Sequence, residues 1–491
     1  MPLSYLPYPP QTSPPNLEVR IRVGPNTWHH TCPHKLISHK DTIICESVVS
    51  VAFEKDTITA CATPPGTSAL ALIRISGPQS IPIAEKLSGT QLSLRTPVPT
   101  RLHHQESLLD EVVATVWPNP KSYTGEDLVE FSCHGNPLIV QSILKAICTL
   151  GARHARPGEF TERAFLNGRM DLTKAEAVLD VLNARSDRAL LAGQRALAGQ
   201  LSARLMADRE TLLQLLARIE AWIDFPDEDI QPEVGEGFLS DIKGLLKSTF
   251  SLLSTAPLGY RLRSGYRLVL AGPPNAGKSS LLNALLGMDR ALVSPIPGTT
   301  RDTVEESIIL AGFPIRLIDT AGLRISKDPV ELEGIARTRT AMQNADLVLA
   351  LIDSTQPDDP CSKEWEPIST KVLTILTKSD LPSKQSYKGI LVSAKTGIGL
   401  DALQSQITLR LTADLGTPGS DEIAITSRHE DALRKTTEAL ACASASLIAK
   451  SAPELVASDL RLALHSLESI LGVGTSEDVL DRLFSQFCIG K

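Results

Sequence analysis

A glycine-rich stretch, Gly272-Pro-Pro-Asn-Ala-Gly-Lys-Ser279, lies between an apolar run, Arg267-Leu-Val-Leu-Ala271, and a leucine-rich segment, Ser280-Leu-Leu-Asn-Ala-Leu-Leu286. Strand, glycine loop and helix in that order are what G-x-x-x-x-G-K-S needs to close backbone N–H groups around phosphate oxygens. Lys278 reaches the β- and γ-phosphates, Ser279 Oγ suits Mg²⁺, and the helix N-terminus adds partial positive charge. Pro297-Gly-Thr-Thr-Arg-Asp302 stands where a first switch loop belongs, with Thr300 placed to complete the Mg²⁺ shell and sense the γ-phosphate. A strand Ile315-Arg-Leu-Ile ends in Asp319-Thr-Ala-Gly322. Asp319 suits water-mediated Mg²⁺ binding, and the Gly322 N–H suits the γ-phosphate.

Base choice falls to Thr377-Lys-Ser-Asp380 and Ser393-Ala-Lys395, each after a short apolar strand. The Asp380 carboxylate accepts from guanine N1–H and its 2-amino group. Adenine offers neither donor and would leave that carboxylate unpaired. Thr377 stands where Asn is usual, and the lost amide is expected to loosen the loop or the base contact. Together these motifs imply a guanine-nucleotide-hydrolysing unit. Leu323, next after Gly322, cannot orient water, so hydrolysis needs another carboxylate, another cation or another subunit.

Other reactive side chains lie outside this unit. Alternation places Arg74 with Leu72 and Ser76 on one strand, and Glu130 with Leu128, Ser132 and His134 on another. The pair either lines a pocket or sits on a solvated sheet face. Arg153, His154, Arg156, Arg163 and Arg169 form a basic cluster, read as a nucleic-acid contact or a solvated face. Cys488 is read as a nucleophile or as a small residue packing the C-terminal tail.

Residues 56–170 mix strands and helices, and residues 171–264 are mainly helical. The alternating strands and helices of 265–415 imply a parallel α/β sheet, and 416–491 is helical again. Thr173-Lys-Ala-Glu176 reads as a capping box opening a helix with Leu172, Ala175, Leu179 and Leu182 on one side. The apolar period continues through Leu201, Leu205, Leu212, Leu215 and Ile219, and Pro226 breaks it. Leu455, Leu460, Leu464, Leu467 and Leu471 form a second stripe, followed by Glu477–Phe484 with Thr475 and Ser476 as caps. Helices on both sides of the α/β unit imply that it is inserted into one helical domain.

The 491 residues suffice for several domains, and 42% apolar with 21% charged residues is ordinary for globular protein. A net charge of −7 argues against coating nucleic acid by bulk electrostatics, and there is no apolar run long enough to span a membrane. Eight cysteines without C-x-x-C spacing point to neither zinc nor a disulfide framework, which suits a reducing cytoplasm. Residues 1–55 are proline-rich at the start and carry no sustained period. They read as a disordered extension or a mis-assigned start, with no secretory or transit signal. No Met occurs between Met1 and Met170, so a start near Val51 requires a non-AUG codon.

The chain resembles the MnmE (TrmE) family of tRNA-modification GTPases over about residues 56–491. The segments that carry the resemblance are Asp56-Thr-Ile-Thr-Ala-Cys-Ala-Thr-Pro-Pro-Gly66, Leu72-Ile-Arg-Ile-Ser-Gly77, Tyr123-Thr-Gly-Glu-Asp127, Ala155–Asn167, Ile223-Asp-Phe-Pro-Asp-Glu228 and the terminal Phe487-Cys-Ile-Gly-Lys491. The resemblance implies an α+β tetrahydrofolate-binding and dimerising domain over 56–170, then a helical domain (171–264 and 416–491) with the G domain (265–415) inserted. It implies folate contacts at Arg74, Glu130, Arg169 (where Lys is usual) and Lys491. It also implies nucleotide contacts at Asn275, Ala276, Gly277, Lys278, Ser279, Ser280, Ser294, Pro295, Ile296, Pro297, Gly298, Thr299, Thr300, Asp319, Thr320, Ala321, Gly322, Thr377, Lys378, Asp380, Ser393, Ala394 and Lys395. K⁺ would be held by Asn275, Ser294, Ile296 and Thr299, and the water-orienting carboxylate maps to Glu331, beside Thr300 and Gly322 in catalysis.

The implied activity is installation of an aminomethyl or carboxymethylaminomethyl group on C5 of the wobble uridine, position 34, of certain tRNAs. Methylene-tetrahydrofolate supplies the carbon, and ammonium or glycine the nitrogen. The implied partner is a FAD-dependent MnmG (GidA) family protein, with a homodimer inside a heterotetramer. Two other readings compete. A K⁺-dependent GTPase switch in ribosome assembly would share Asn275 and its loops but not the folate-like segments or the Cys-Ile-Gly-Lys ending. A scaffolding switch would bind folate without chemistry.

Overall fold

The computed structural model describes residues 56–224, 236–273, 275–288, 305–319, 340–356, 372–384, 388–413 and 423–491; the expectations for 1–55 and Pro226 lie outside them. The chain begins with β1 (Ile58–Cys61), β2 (Ser68–Ser76), α1 (Ser80–Ser88), β3 (Val98–His104), β4 (Ser107–Trp117), β5 (Leu128–Gly135), α2 (Pro137–Thr149), β6 (Arg153–His154) and α3 (Glu159–Leu166). The strands form one sheet in the order β3-β4-β5-β2-β1-β6. Neighbours run antiparallel except β1 and β6. Side chains alternate across such a sheet. Ile73, Ile75, Val129, Phe131, Ala114 and Val116 therefore share one face, where they pack with Ile83 and Leu87 of α1 and Ile143 and Ile147 of α2. The opposite face carries Arg74 and Glu130 directly across from each other. Its far end is closed by a small cluster of Ile58, Ala60, Leu128 and Phe160.

Helices α4 (Leu172–Asn183), α5 (Asp187–Leu197), α6 (Gln200–Asp224), α7 (Glu236–Leu253) and α8 (Ala256–Ser264) follow. After them come β7 (Tyr266–Ala271), α9 (Lys278–Met288), β8 (Glu305–Leu310), β9 (Phe313–Asp319), β10 (Leu347–Asp353), β11 (Val372–Thr377), β12 (Ile390–Leu391) and α10 (Leu400–Thr412). The second sheet runs β12-β11-β10-β7-β9-β8. It is parallel except at the edge, where β8 and β9 form an antiparallel hairpin. The hairpin turns through Ala311 and Gly312, both with positive φ, the geometry a two-residue turn demands. The central strands carry unbroken apolar runs, Leu268–Ala271 and Leu347–Ile352, as strands packed on both faces do.

The chain ends with α11 (Ser427–Ile448), α12 (Pro453–Leu471) and α13 (Glu477–Phe484). Leu201, Leu205, Leu212, Leu215 and Ile219 of α6 share one core with Leu433, Leu440, Leu460, Leu467 and Ile470 of α11 and α12. Helices from both ends of the sequence thus close on each other, and the α/β unit is inserted between them. Two stripe positions depart from expectation: Leu455 is 56% exposed and Leu182 is 47% exposed. Five residues separate Leu455 from Leu460, which at 100° per residue turns Leu455 well away from the core side.

The expected capping box at Thr173 is not formed. Asp171 caps α4, accepting from Lys174 N at 3.1 Å. Thr173 lies inside the helix and hydrogen-bonds Asp171 and Ser202. Glu176 turns to the returning chain instead: Arg428 donates Nε and Nη2 to its two oxygens at 2.7 and 3.0 Å, and His429 Nε2 donates to Oε2. His429 Nδ1 accepts from Thr426 N in the cap of α11, which leaves its proton on Nε2. Ser476 does cap α13, but without a side-chain hydrogen bond.

Within the basic cluster, Arg153, His154, Arg156 and Arg169 are exposed, and three of its arginines are paired. Arg163 is 12% exposed and pairs with Asp56, Glu126 and Glu159. Arg153 pairs with Asp56 and Glu159, and Arg156 with Glu162. Carboxylates interleave with the arginines, so the cluster knits α3 to the start of β1.

Burial pushes the carboxyls of Glu159 and Glu176 upward, but their arginine and histidine partners outweigh it and hold both at about 2. A depressed carboxyl stabilises the fold above its unfolded value, about 4.5, and that contribution is lost as pH falls toward 2. Urea unfolding across that window is expected to show steeply falling stability, less steep in Glu159→Gln. Parallel acid limbs in the two proteins would remove Glu159 from the account.

Candidate functional sites

The phosphate loop is set by packing on both sides. At Gly272 a side chain would meet Leu351 O at 2.7 Å, so only glycine lets the loop leave β7 against β10. Asn275 and Gly277 have φ of 66° and 89°, a turn that points successive N–H groups into one concavity. Ala276 is buried, and Asn275, Ser279 and Ser280 are exposed at the mouth. Lys278 Nζ donates to Gly272 O at 2.6 Å and Pro273 O at 2.9 Å, folded back over the loop it would share with phosphate.

Thr377, where Asn is usual, makes a tie of its own. Its hydroxyl is buried and donates to Ala276 O at 2.7 Å, tying the end of β11 to the phosphate loop. The same hydroxyl lies 3.2 Å from Ile352 O, so it links the start of this segment to both the phosphate loop and β10. Thr377→Val keeps the shape and removes the donor. It is expected to weaken guanine-nucleotide binding about tenfold, measured by titration with a fluorescent GDP, since one hydrogen bond to a buried carbonyl is lost. Unchanged affinity would leave the tie without a role in binding.

Lys378, with φ of 58°, pairs with Asp353 at 2.6 Å. Asp380 Oδ1 accepts from Ser393 Oγ at 2.7 Å, and that bond holds its carboxyl below the usual range, ready to accept from donors. Ser379 Oγ beside it is buried without a partner among the described residues. Ala394 and exposed Lys395 follow Ser393 in the adjoining turn. Residues 276–280, 377–380 and 393–395 are thus assembled around one opening. For Asp319 the backbone alone is described, at the end of β9. Ser294, Pro295, Ile296, Pro297, Gly298, Thr299, Thr300, Thr320, Ala321, Gly322 and Glu331 lie outside the described residues.

A second site forms where the C-terminal tail meets the first sheet. Arg74 Nε donates to Glu130 Oε1 at 2.9 Å, and Trp117 Nε1 donates to Glu130 Oε2 at 3.1 Å. The Arg74 guanidinium lies 5.4 Å from the centre of the Tyr123 ring, whose hydroxyl bonds Thr161 and is pushed upward by burial. Arg74 is 15% exposed and Glu130 is 19% exposed at the side chain, so this is not a solvated face.

The tail supplies the cover. Phe484 and Phe487 are buried against Leu172, Ala175 and Val178. Gly158 N donates to Cys488 O at 3.4 Å, and Arg74 Nη1 donates to Gly490 O at 3.4 Å. Burial, then the Arg74 charge, pushes the Lys491 ammonium downward. Glu130 uses one lone pair of each oxygen, leaving acceptors for a ligand with paired N–H donors.

Arg169 reaches this site indirectly. Its Nε donates to Ser122 O at 3.1 Å, bracing the turn that presents Tyr123. Cys488 is exposed, so it does not pack the tail as expected; Phe487 does. Trp117 and Tyr123 escaped sequence reasoning as site residues, although Tyr123 opens a quoted segment. Their roles follow from cross-strand register and a folded-back loop.

Residues 57–169 match the family described as GTP-binding protein TrmE N-terminus, and residues 172–488 match the MnmE helical domain. The chain is 46% identical over 449 residues to a tRNA modification GTPase MnmE of Akkermansia muciniphila, covering 89% of this chain and 99% of that one. It is 44% identical over 455 residues to that of Opitutus terrae, with the same coverage. To that of Chloroflexus aurantiacus it is 43% identical over 453 residues, covering 89% of this chain and all of the relative.

Proposed function

The chain belongs to the MnmE family of tRNA modification GTPases, and from that premise we propose that it couples GTP hydrolysis to chemistry at C5 of the wobble uridine, position 34, of certain tRNAs. The product carries an aminomethyl or carboxymethylaminomethyl group. The observation that best supports this is the C-terminal tail seated beside Arg74 and Glu130, which builds a second site in a chain that already has a guanine-nucleotide site.

Methylene-tetrahydrofolate would supply a one-carbon unit at that second site. Glu130 accepts the paired donors of the pterin, while Arg74 and Lys491 meet its negative groups, with Arg169 bracing the turn. Cys488, exposed near Lys491, is left with a thiol role in this chemistry or none.

At the nucleotide site, Ser279 and Thr300 would hold Mg²⁺, and Asn275, Ser294, Ile296 and Thr299 would hold K⁺. A bound cation offsets the negative charge that develops on the phosphates. Glu331 orients water beside Thr300 and the Gly322 N–H. The working assembly is a cytoplasmic homodimer joined to a FAD-dependent MnmG-type partner in a heterotetramer. No described helix is long and apolar enough to cross a membrane.

Mass spectrometry of tRNA nucleosides from a strain lacking the gene is expected to show loss of C5-aminomethyl-type wobble uridines. Wild type should restore them and Asp319→Ala should not. Unchanged wobble uridines would sink the modification role and bring the ribosome-assembly switch forward.

Gly490→Ala tests the second site. A side chain there would meet Cys61 O at 2.5 Å, at a φ of 93° that only glycine adopts without strain. The variant is expected to lose tetrahydrofolate binding and tRNA modification while keeping GTP hydrolysis. Folate binding equal to wild type would show that the tail does not complete the site.

A further inference from the structure

We propose that the cavity between the helices and the nucleotide sheet binds a small phosphate-bearing dianion. The space is about 340 Å³, bounded by α4 and the turn after it, α5, α8, Arg316 on β9 and Gln486 of the tail. That volume suits a small molecule rather than a few waters. Leu179, Ala184, Ala189 and Leu262 wall it.

Charge decides what it would hold. Arg263 donates Nε and Nη2 to the two oxygens of Asp180 at 2.7 Å each, and Nη1 to Ile425 O at 2.8 Å. Those two side chains therefore cancel and are saturated. Arg185 and Arg316 also line the space, and neither side chain has a hydrogen bond or ion pair among the described residues. Two guanidinium groups unpaired among the described residues match one phosphate dianion, which each can grip with paired N–H donors. The Asn183 amide adds a neutral donor at the same rim.

The position gives such binding a consequence. Arg316 lies three residues before Asp319 on the strand that leads to the nucleotide, and Gln486 lies two before Cys488. Arg185 belongs to the turn between α4 and α5. A bound dianion therefore joins the nucleotide strand to the helices at the root of the tail. This assignment does not depend on the uridine chemistry.

The test uses the full chain saturated with Mg²⁺ and GDP, so that the phosphate loop is already filled. Thermal melts are taken with rising inorganic phosphate at ionic strength held constant with chloride. Binding to the native state raises the melting temperature with ligand concentration. Wild type is expected to rise. Arg185→Ala and Arg316→Ala should each weaken apparent affinity roughly tenfold, the value of one charge-assisted contact. The double variant should be flat. Arg101→Ala, which removes an exposed arginine elsewhere, should respond as wild type. Arg185 is exposed, so its single variant reports even if Arg316→Ala folds poorly. A double variant that rises as wild type does, or a wild type that follows chloride alone, overturns the proposal.

Discussion

Lys278→Ala is expected to abolish measurable GTP hydrolysis and to weaken GTP binding by roughly a hundredfold or more. The ammonium group supplies charge-assisted hydrogen bonds, each worth about 1.5–3 kcal/mol when made to an ionised partner. It also stabilises the charge that grows on the phosphates in the transition state, an effect of about 10²–10³ in rate. In the structure its Nζ rests on the carbonyls of Gly272 and Pro273, and nucleotide exchanges those neutral partners for anionic ones. The loop itself is held elsewhere, through the Thr377 tie to Ala276 and the close approach of Gly272 to Leu351. The variant should therefore melt near wild type. Phosphate release and titration with a fluorescent GTP analogue check both parts. Hydrolysis within tenfold of wild type would refute the assigned role of the loop.

Glu176→Ala is the largest expected loss of stability, about 3–5 kcal/mol. The carboxylate is buried and accepts from Arg428 and His429 at the point where the chain returns to the helices. Its removal leaves the Arg428 guanidinium in the same setting without a carboxylate, held by Ser469 O, Ile470 O and its contact with His429 Nε2. Glu176→Gln keeps an acceptor and should lose less. Denaturant unfolding followed by far-UV circular dichroism measures this. Equal stability of Glu176→Ala and wild type would show that the clamp contributes nothing net. The clamp also fastens α4 to the first turn of α11, so the alanine variant should loosen the junction through which the inserted unit is joined.

Some of this was legible in the sequence and some was not, for identifiable reasons. Thr173-Lys-Ala-Glu176 fits a capping box by spacing, but Asp171, two residues earlier, also fits a cap and captured the role. Glu176 was then free to meet Arg428, 252 positions away. The basic residues between Arg153 and Arg169 read as a patch because sequence neighbours were weighed without Asp56 and Glu126, which the fold brings among them. The Thr377 tie was not legible because its partner, the Ala276 carbonyl, is a backbone atom in another loop.

The sequence by itself determined the nucleotide chemistry and the insertion. Both rest on local order: a strand, a glycine loop and a helix adjacent in the chain, and two leucine periods flanking an α/β pattern. Alternation likewise put Arg74 and Glu130 each on a definite face of its strand. The tertiary structure decided that they face each other and that the tail covers them. That outcome depends on strand register and on a contact between Arg74 and Gly490, 416 positions apart. Spacing encodes what a turn or a strand presents to its own neighbours. Whether a charged side chain is solvated, paired or roofed depends on which distant segment packs over it.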